Sequence, residues 1–168
     1  MKDINILIVG VGGQGTLLAS VLLGKIALEE GYDVKLAEVH GMAQRGGSVV
    51  THVRISEGEV RSPLIEEGGA IFVNSQQIKP MPVIMGQAEY PADILGFLRE
   101  NAEKVTALDA LGIATECGSA KAVNTVLLGA MAKELPFPKE TWVRQIESTV
   151  KPKFVELNKE AFEKGYNA

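Results

Sequence analysis

The chain has 168 residues, 46% of them hydrophobic and 23% charged, with a formal net charge of −4; this composition fits one folded domain large enough to bury a core. Both charge signs are spread along the chain with no basic stripe, which argues against a nucleic-acid partner, and no run of about 18 apolar residues is present to span a membrane. A single cysteine, Cys117, excludes an intrachain disulfide and a thiolate metal cluster, and two histidines, His40 and His52, are too few for a histidine-rich metal site.

Met1-Lys2-Asp3 leads straight into Ile4-Asn-Ile-Leu-Ile-Val9, so no signal peptide is expected, and a cytoplasmic location suits the lone cysteine. The nearly continuous apolar run predicts a buried parallel strand. Gly10-Val-Gly12-Gly13-Gln14-Gly15 follows at once. Thr16 to Glu30 predicts a helix whose first turns are apolar nearly all round, hence buried on more than one side. Gly31 ends it, and Asp33 to Val39 predicts a second strand, completing a βαβ unit with the usual right-handed crossover.

Glu38 to Ser48 reads as an irregular loop, and Val49 to Ile55 alternates as a strand. Ala70–Asn74 is a further short strand, and Ser75 to Pro91 suits a long surface-following segment. A helix is predicted from Pro91 to Asn101, a strand over Lys104–Leu108, and a long helix from Ala120 to Glu134 capped by Ser119. Pro136 and Pro138 break that helix, another runs from Lys139 to Val150, and Pro152 starts a last one with Phe154, Leu157, Ala161 and Phe162 on one face. The expected fold is therefore α/β: a Rossmann-like, open, twisted, mostly parallel sheet flanked by helices, with a helical C-terminal part. No linker divides the chain, so residues 1–168 are read as one domain.

Two loops carry chemistry. Gly10, Gly12 and Gly15 satisfy the G-x-G-x-x-G spacing between a strand and a helix. Such a turn brings a ligand close to the backbone, and the helix N-terminus offers unpaired N–H groups to an anion. Glu38, at the end of the second strand, stands where a ribose-binding acid would sit. A dinucleotide, another anion, or tight helix–sheet packing with no ligand all remain open readings of this turn. The second loop, His40-Gly41-Met42-Ala43-Gln44-Arg45-Gly46-Gly47-Ser48, places an imidazole, an amide, a guanidinium and a hydroxyl among glycines at the same carboxyl edge. Arg45 followed by two glycines suits phosphate or carboxylate; docking on a partner chain is the competing reading. The candidate ligand-binding set is Gly12, Gly13, Gln14, Gly15, His40, Gln44, Arg45, Gly46, Gly47 and Ser48; no residue is assigned a catalytic role and none a metal. For His40 a hydrogen-bonding role outweighs catalysis, and His52, within a strand, reads as core or interface.

Together the two loops, followed by Ser62-Pro63, resemble the gamma-type subunit of 2-oxoacid:ferredoxin oxidoreductases, nearest to the beta subunit of the indolepyruvate enzyme. Asn124-Thr-Val-Leu-Leu-Gly129, Trp142, Val155-Glu-Leu-Asn158, Ala161-Phe162 and Gly165 resemble its closing helices. The resemblance implies oxidative decarboxylation of a 2-oxoacid such as an arylpyruvate to acyl-CoA, with electrons passed to ferredoxin. Thiamine diphosphate, magnesium and iron–sulfur clusters would then belong to a large partner subunit, and coenzyme A would be a co-substrate. The isolated chain would be inactive, and a dimer of it is allowed. The alternative is a stand-alone Rossmann oxidoreductase or dinucleotide-binding module. One departure stands out: Glu67-Gly68-Gly69 joins directly to Ala70-Ile-Phe-Val-Asn74, where the family pattern carries about one further β-α unit; either the protein lacks this unit or, the favoured reading, it carries a segment absent from this sequence.

Overall fold

The computed structural model describes residues 3–40, 47–63 and 70–168. Strand β1, Ile4–Val11, alternates: Ile4, Ile6 and Ile8 pack on the core, while Asn5, Leu7 and Val9 take the opposite face. The glycine turn leads into α1, Thr16–Glu29, where Ala19, Leu22, Leu23, Ile26 and Ala27 are all buried. Gly31, at φ 84°, and the bond from the Tyr32 N–H to the Ala27 carbonyl (2.9 Å) close this helix in the left-handed conformation that glycine adopts without strain. Strands β2, Asp33–His40, and β3, Ser48–Ser56, follow.

The order of the first sheet is β1-β3-β2, and β3 runs antiparallel to both neighbours. The α/β class and the helical C-terminal part are as expected, but this sheet is not parallel across its ladders. The cause is connection length: the seven residues between His40 and Ser48 can turn the chain back on itself but cannot make a parallel crossover. β1 and β2 therefore share a direction with β3 between them. Register aligns Gly10, Val49 and His40 in one row across the sheet, and Val53 lies between Ile6 and Leu36.

A second sheet pairs β4, Ala70–Asn74, in parallel with β5, Lys104–Leu108. Between them run the short α2, Met81–Ile84, and α3, Ile94–Asn101, the latter capped by Asp93 accepting from the Gly96 N–H at 2.8 Å. Asp109 caps α4, Ala110–Glu116, in the same way through the Gly112 N–H. Ser119 caps a single 3-10 turn, Ala120–Ala122, and α5 begins only at Val123 and ends at Ala132. Helices α6, Lys139–Thr149, and α7, Val155–Asn167, complete the chain, with a 3-10 turn at Pro152–Phe154 between them.

α1 packs on the first sheet, α5 on β4, and the two helices touch, so both sheets rest against one helical layer. The larger core joins α1, β3 and the ends of α5, α6 and α7, centred on Trp142 stacked against Phe162 at 5.7 Å. A smaller one joins Ala110, Ala114, Ala122, Val123, Val126 and Ala161. Among the described residues no helix is long and apolar enough to cross a membrane.

Candidate functional site

The carboxyl ends of β1 and β2 and the start of β3 meet at one edge of the first sheet. There the structure gathers Gly12, Gly13, Gln14 and Gly15 of the turn, His40 at the last position of β2, and Gly47 and Ser48 at the entry to β3. Gln44, Arg45 and Gly46 lie outside the described residues. The Gly12 N–H donates to the Gly47 carbonyl at 2.8 Å, so the two glycine-rich segments are joined directly. Ser48 is exposed and opposite Val11 in register.

The turn is built by its own residues. Gly13 (φ 99°) and Gly15 (φ 85°) hold left-handed conformations. The Gln14 N–H donates to the Val11 carbonyl, and Gln14 Oε1 accepts from the Val11 N–H at 2.9 Å, so this amide folds back on its own backbone. At Gly10 a Cβ would lie 2.8 Å from the Thr16 methyl group, so a side chain there would force Thr16 to move. Gly15 is the N-cap of α1, and no side chain caps the helix; its first turn keeps amide N–H groups and the positive end of the helix dipole directed at this edge. One contributor escaped the sequence reading as a site residue: Asn124, from the start of α5, donates from Nδ2 to the Gln14 carbonyl at 2.8 Å and braces the turn. The Asn124–Gly129 motif was its only signal in sequence.

Glu38 faces the α1 side of the sheet, where its carboxylate accepts from the buried Thr51 hydroxyl at 3.3 Å. β3 separates β2 from β1, so Glu38 is two strands, roughly 10 Å, to the side of the glycine turn. In a dinucleotide fold the strand bearing the ribose-binding acid lies beside the glycine-turn strand. That adjacency is missing, and the dinucleotide reading loses its geometry.

The remaining singled-out residues are structural. His52 sits half-buried mid-strand, and its Nδ1 is enclosed without a hydrogen-bond partner. Cys117 ends α4, and burial, with Glu160 nearby, pushes its thiol above the usual range, which disfavours the thiolate a nucleophile needs. Among the described residues no group of three or more His, Cys, Asp or Glu side chains is placed to hold a metal ion. A cubane cluster requires four thiolates, and the chain has one cysteine; its residues do not fit such a group.

The sequence matches the pattern of the pyruvate ferredoxin/flavodoxin oxidoreductase family in two pieces, residues 5–67 and 62–168. The chain belongs to this family. Within it, the relatives are small, gamma-type subunits. The chain is 40% identical to the indolepyruvate oxidoreductase subunit IorB of Archaeoglobus fulgidus, covering 98% of this chain and 94% of that protein. It is 38% identical to the subunit of the same name from Thermococcus kodakarensis, covering 100% and 96%. Among solved structures, the gamma subunit of a keto/oxoacid ferredoxin oxidoreductase from Geobacter sulfurreducens superposes with a TM-score of 0.70 at 27% identity, over 97% of this chain and 96% of that one. A 2-oxoglutarate:ferredoxin oxidoreductase from Magnetococcus marinus shares the fold at a TM-score of 0.74; there the matching region is 31% of a longer chain. Family membership sets the stand-alone dinucleotide module aside.

Proposed function

We propose that this chain is the small subunit of an indolepyruvate or related arylpyruvate:ferredoxin oxidoreductase, and that it works only in complex with a larger subunit. The observation that carries this is the 38–40% identity, along the whole chain, to subunits of indolepyruvate oxidoreductases. The larger subunit would hold thiamine diphosphate with magnesium and the iron–sulfur clusters, which supply the decarboxylation and the electron path to ferredoxin; coenzyme A would accept the acyl group. This chain's own part is binding. The turn Gly12–Gly15 and the segment His40–Ser48 form one wall of a cleft closed by the partner. Backbone N–H groups of the turn and the first turn of α1 attract an anion, Arg45 pairs with a phosphate or carboxylate of a substrate, and Gln44 and Ser48 add hydrogen bonds. Coenzyme A, rich in phosphate, is the anion proposed for this edge.

Co-expression with the larger subunit, followed by ferredoxin reduction dependent on both an arylpyruvate and coenzyme A, tests the reading. The complex should turn over and the isolated chain should not. Arg45→Ala should raise the KM for coenzyme A or the 2-oxoacid about tenfold, the loss of one charge-assisted pair. Unchanged KM values and assembly would remove Arg45 from any ligand role.

A further inference from the structure

The bond from Asn124 to the glycine turn does more than brace it. Asn124 is the second residue of α5, and its Nδ2 donates to the Gln14 carbonyl at 2.8 Å across 110 positions of sequence. A trans peptide points its N–H opposite to its C=O. Holding the Gln14 carbonyl on α5 therefore turns the Gly15 N–H away from α5. Gly13 and Gly15 are exposed, and among the described residues neither N–H has an acceptor. No atom lies within 4 Å of where a Cβ on Gly13 would stand, so that side of the turn is open.

The peptide between Gln14 and Gly15 has two orientations to choose from. Rotating a peptide plane changes ψ of the residue before it and φ of the residue after it. The residue after it is Gly15, at φ 85°, and glycine takes either sign of φ at little cost. Rotated by half a turn, the same unit would present a carbonyl oxygen to the open side in place of an N–H, and a carbonyl oxygen repels an anion. The other ties of the turn do not decide between the two. The Gln14 N–H is bonded to the Val11 carbonyl and the Gln14 side chain to the Val11 N–H, and both act on the amino side of Gln14. Among the described residues Asn124 is the one donor to the Gln14 carbonyl.

We propose that Asn124 is a positioning residue for the anion bound at this edge: it keeps the Gly15 N–H, and not the Gln14 carbonyl, turned toward a phosphate of coenzyme A. This rests on the reading of the edge given under the proposed function. It makes anion binding by the first strand–helix unit depend on a side chain of the C-terminal half, which touches the ligand nowhere and acts through one peptide plane.

Complexes carrying Asn124→Ala and Asn124→Asp test this, with coenzyme A binding read by calorimetry and turnover read as coenzyme A and the arylpyruvate are varied in turn. Aspartate has the shape of asparagine without the amide donor, and a carboxylate in the first turn of a helix is favoured, so α5 is retained in that variant. Asn124→Ala should raise the Kd and KM for coenzyme A about tenfold while the KM for the arylpyruvate and kcat stay within about twofold. Asn124→Asp should raise them further, because its carboxylate faces the Gln14 carbonyl and drives the peptide over. Coenzyme A affinity unchanged in both variants but weakened by Arg45→Ala overturns the positioning role and leaves the edge as the binding site. Affinity unchanged in all three variants overturns both readings. Loss of assembly in both Asn124 variants, or a rise in both KM values with a fall in kcat, overturns the positioning role in favour of a purely structural brace.

Discussion

Asn158 shows how one amide organises the closing helices. It lies on the face between Phe154 and Phe162 that is otherwise apolar, and it is buried. Its Oδ1 accepts from the Thr125 hydroxyl at 2.7 Å and its Nδ2 donates to the Phe154 carbonyl at 2.9 Å, tying α7 both to α5 and to its own first turn. Each group satisfies the other in a region closed to water, which is the condition for burying it at all. Asn158→Ala strands the Thr125 hydroxyl and should cost about 1–3 kcal/mol in a urea titration. The cost should shrink when Thr125→Val is added, since no orphaned donor then remains.

At the scale of elements, α5 and α7 approach so closely that glycine is required on both. A Cβ at Gly165 would collide with the Val126 carbonyl, and one at Gly129 would lie 2.8 Å from the Tyr166 nitrogen and strike the Phe162 carbonyl. Backbone, unlike the tip of a side chain, cannot step aside, so Gly165→Ala should destabilise the fold by about 2 kcal/mol or more in thermal or urea unfolding. The contact of α1 with α6 is polar at its rim. Glu29 accepts from Gln145 Nε2 and from Arg144, and Glu30 accepts from the Thr141 hydroxyl. The Gln145 hydrogen bond holds the Glu29 carboxyl below its ordinary value of 4.5; desolvation opposes it, and the Arg144 bond and charge add to the lowering. A depressed folded value means that the contribution is complete above the unfolded value and is lost as pH falls through the folded one. Glu29→Gln should therefore lower stability at pH 7 and match the parent once the pH is well below 4.5, as read by urea midpoints across that range.

At the scale of the whole molecule, two sheets and two apolar clusters share the same helices. α5 contributes Leu128 and Ala132 to the larger cluster and Val123 and Val126 to the smaller; α7 gives Phe162 to one and Ala161 to the other. Neither cluster can come apart without moving a helix that the other needs. Thermal unfolding should accordingly be a single transition, with Trp142 fluorescence and far-ultraviolet circular dichroism giving the same midpoint. Two separated midpoints would show that the β4–β5 half melts on its own. The same layer positions the glycine-rich edge: Asn124 reaches the Gln14 carbonyl from α5, so the glycine turn is braced by the C-terminal helices.

Local pattern made much of this legible. The apolar run before Gly10, the glycines at 10, 12 and 15, the Gly31 stop and the prolines at 136, 138 and 152 locate strands, turns and helices because each acts through its own backbone or its nearest neighbours. The family signature likewise lies in two short loops, and the structure brings their described residues to one edge. The long helix expected from Ala120 to Glu134 came out shorter, with a 3-10 turn at one end and its last residue at Ala132, since propensity places helix ends less firmly than caps do. The direction of β3 was readable in principle from a connection too short for a crossover, but its place between β1 and β2 was not. Strand order depends on which residues meet across a sheet, and neither Val49 nor His40 carries a local mark of the other. Only the tertiary structure parted Glu38 from the glycine turn, because strand pairing is a property of residues far apart in the chain.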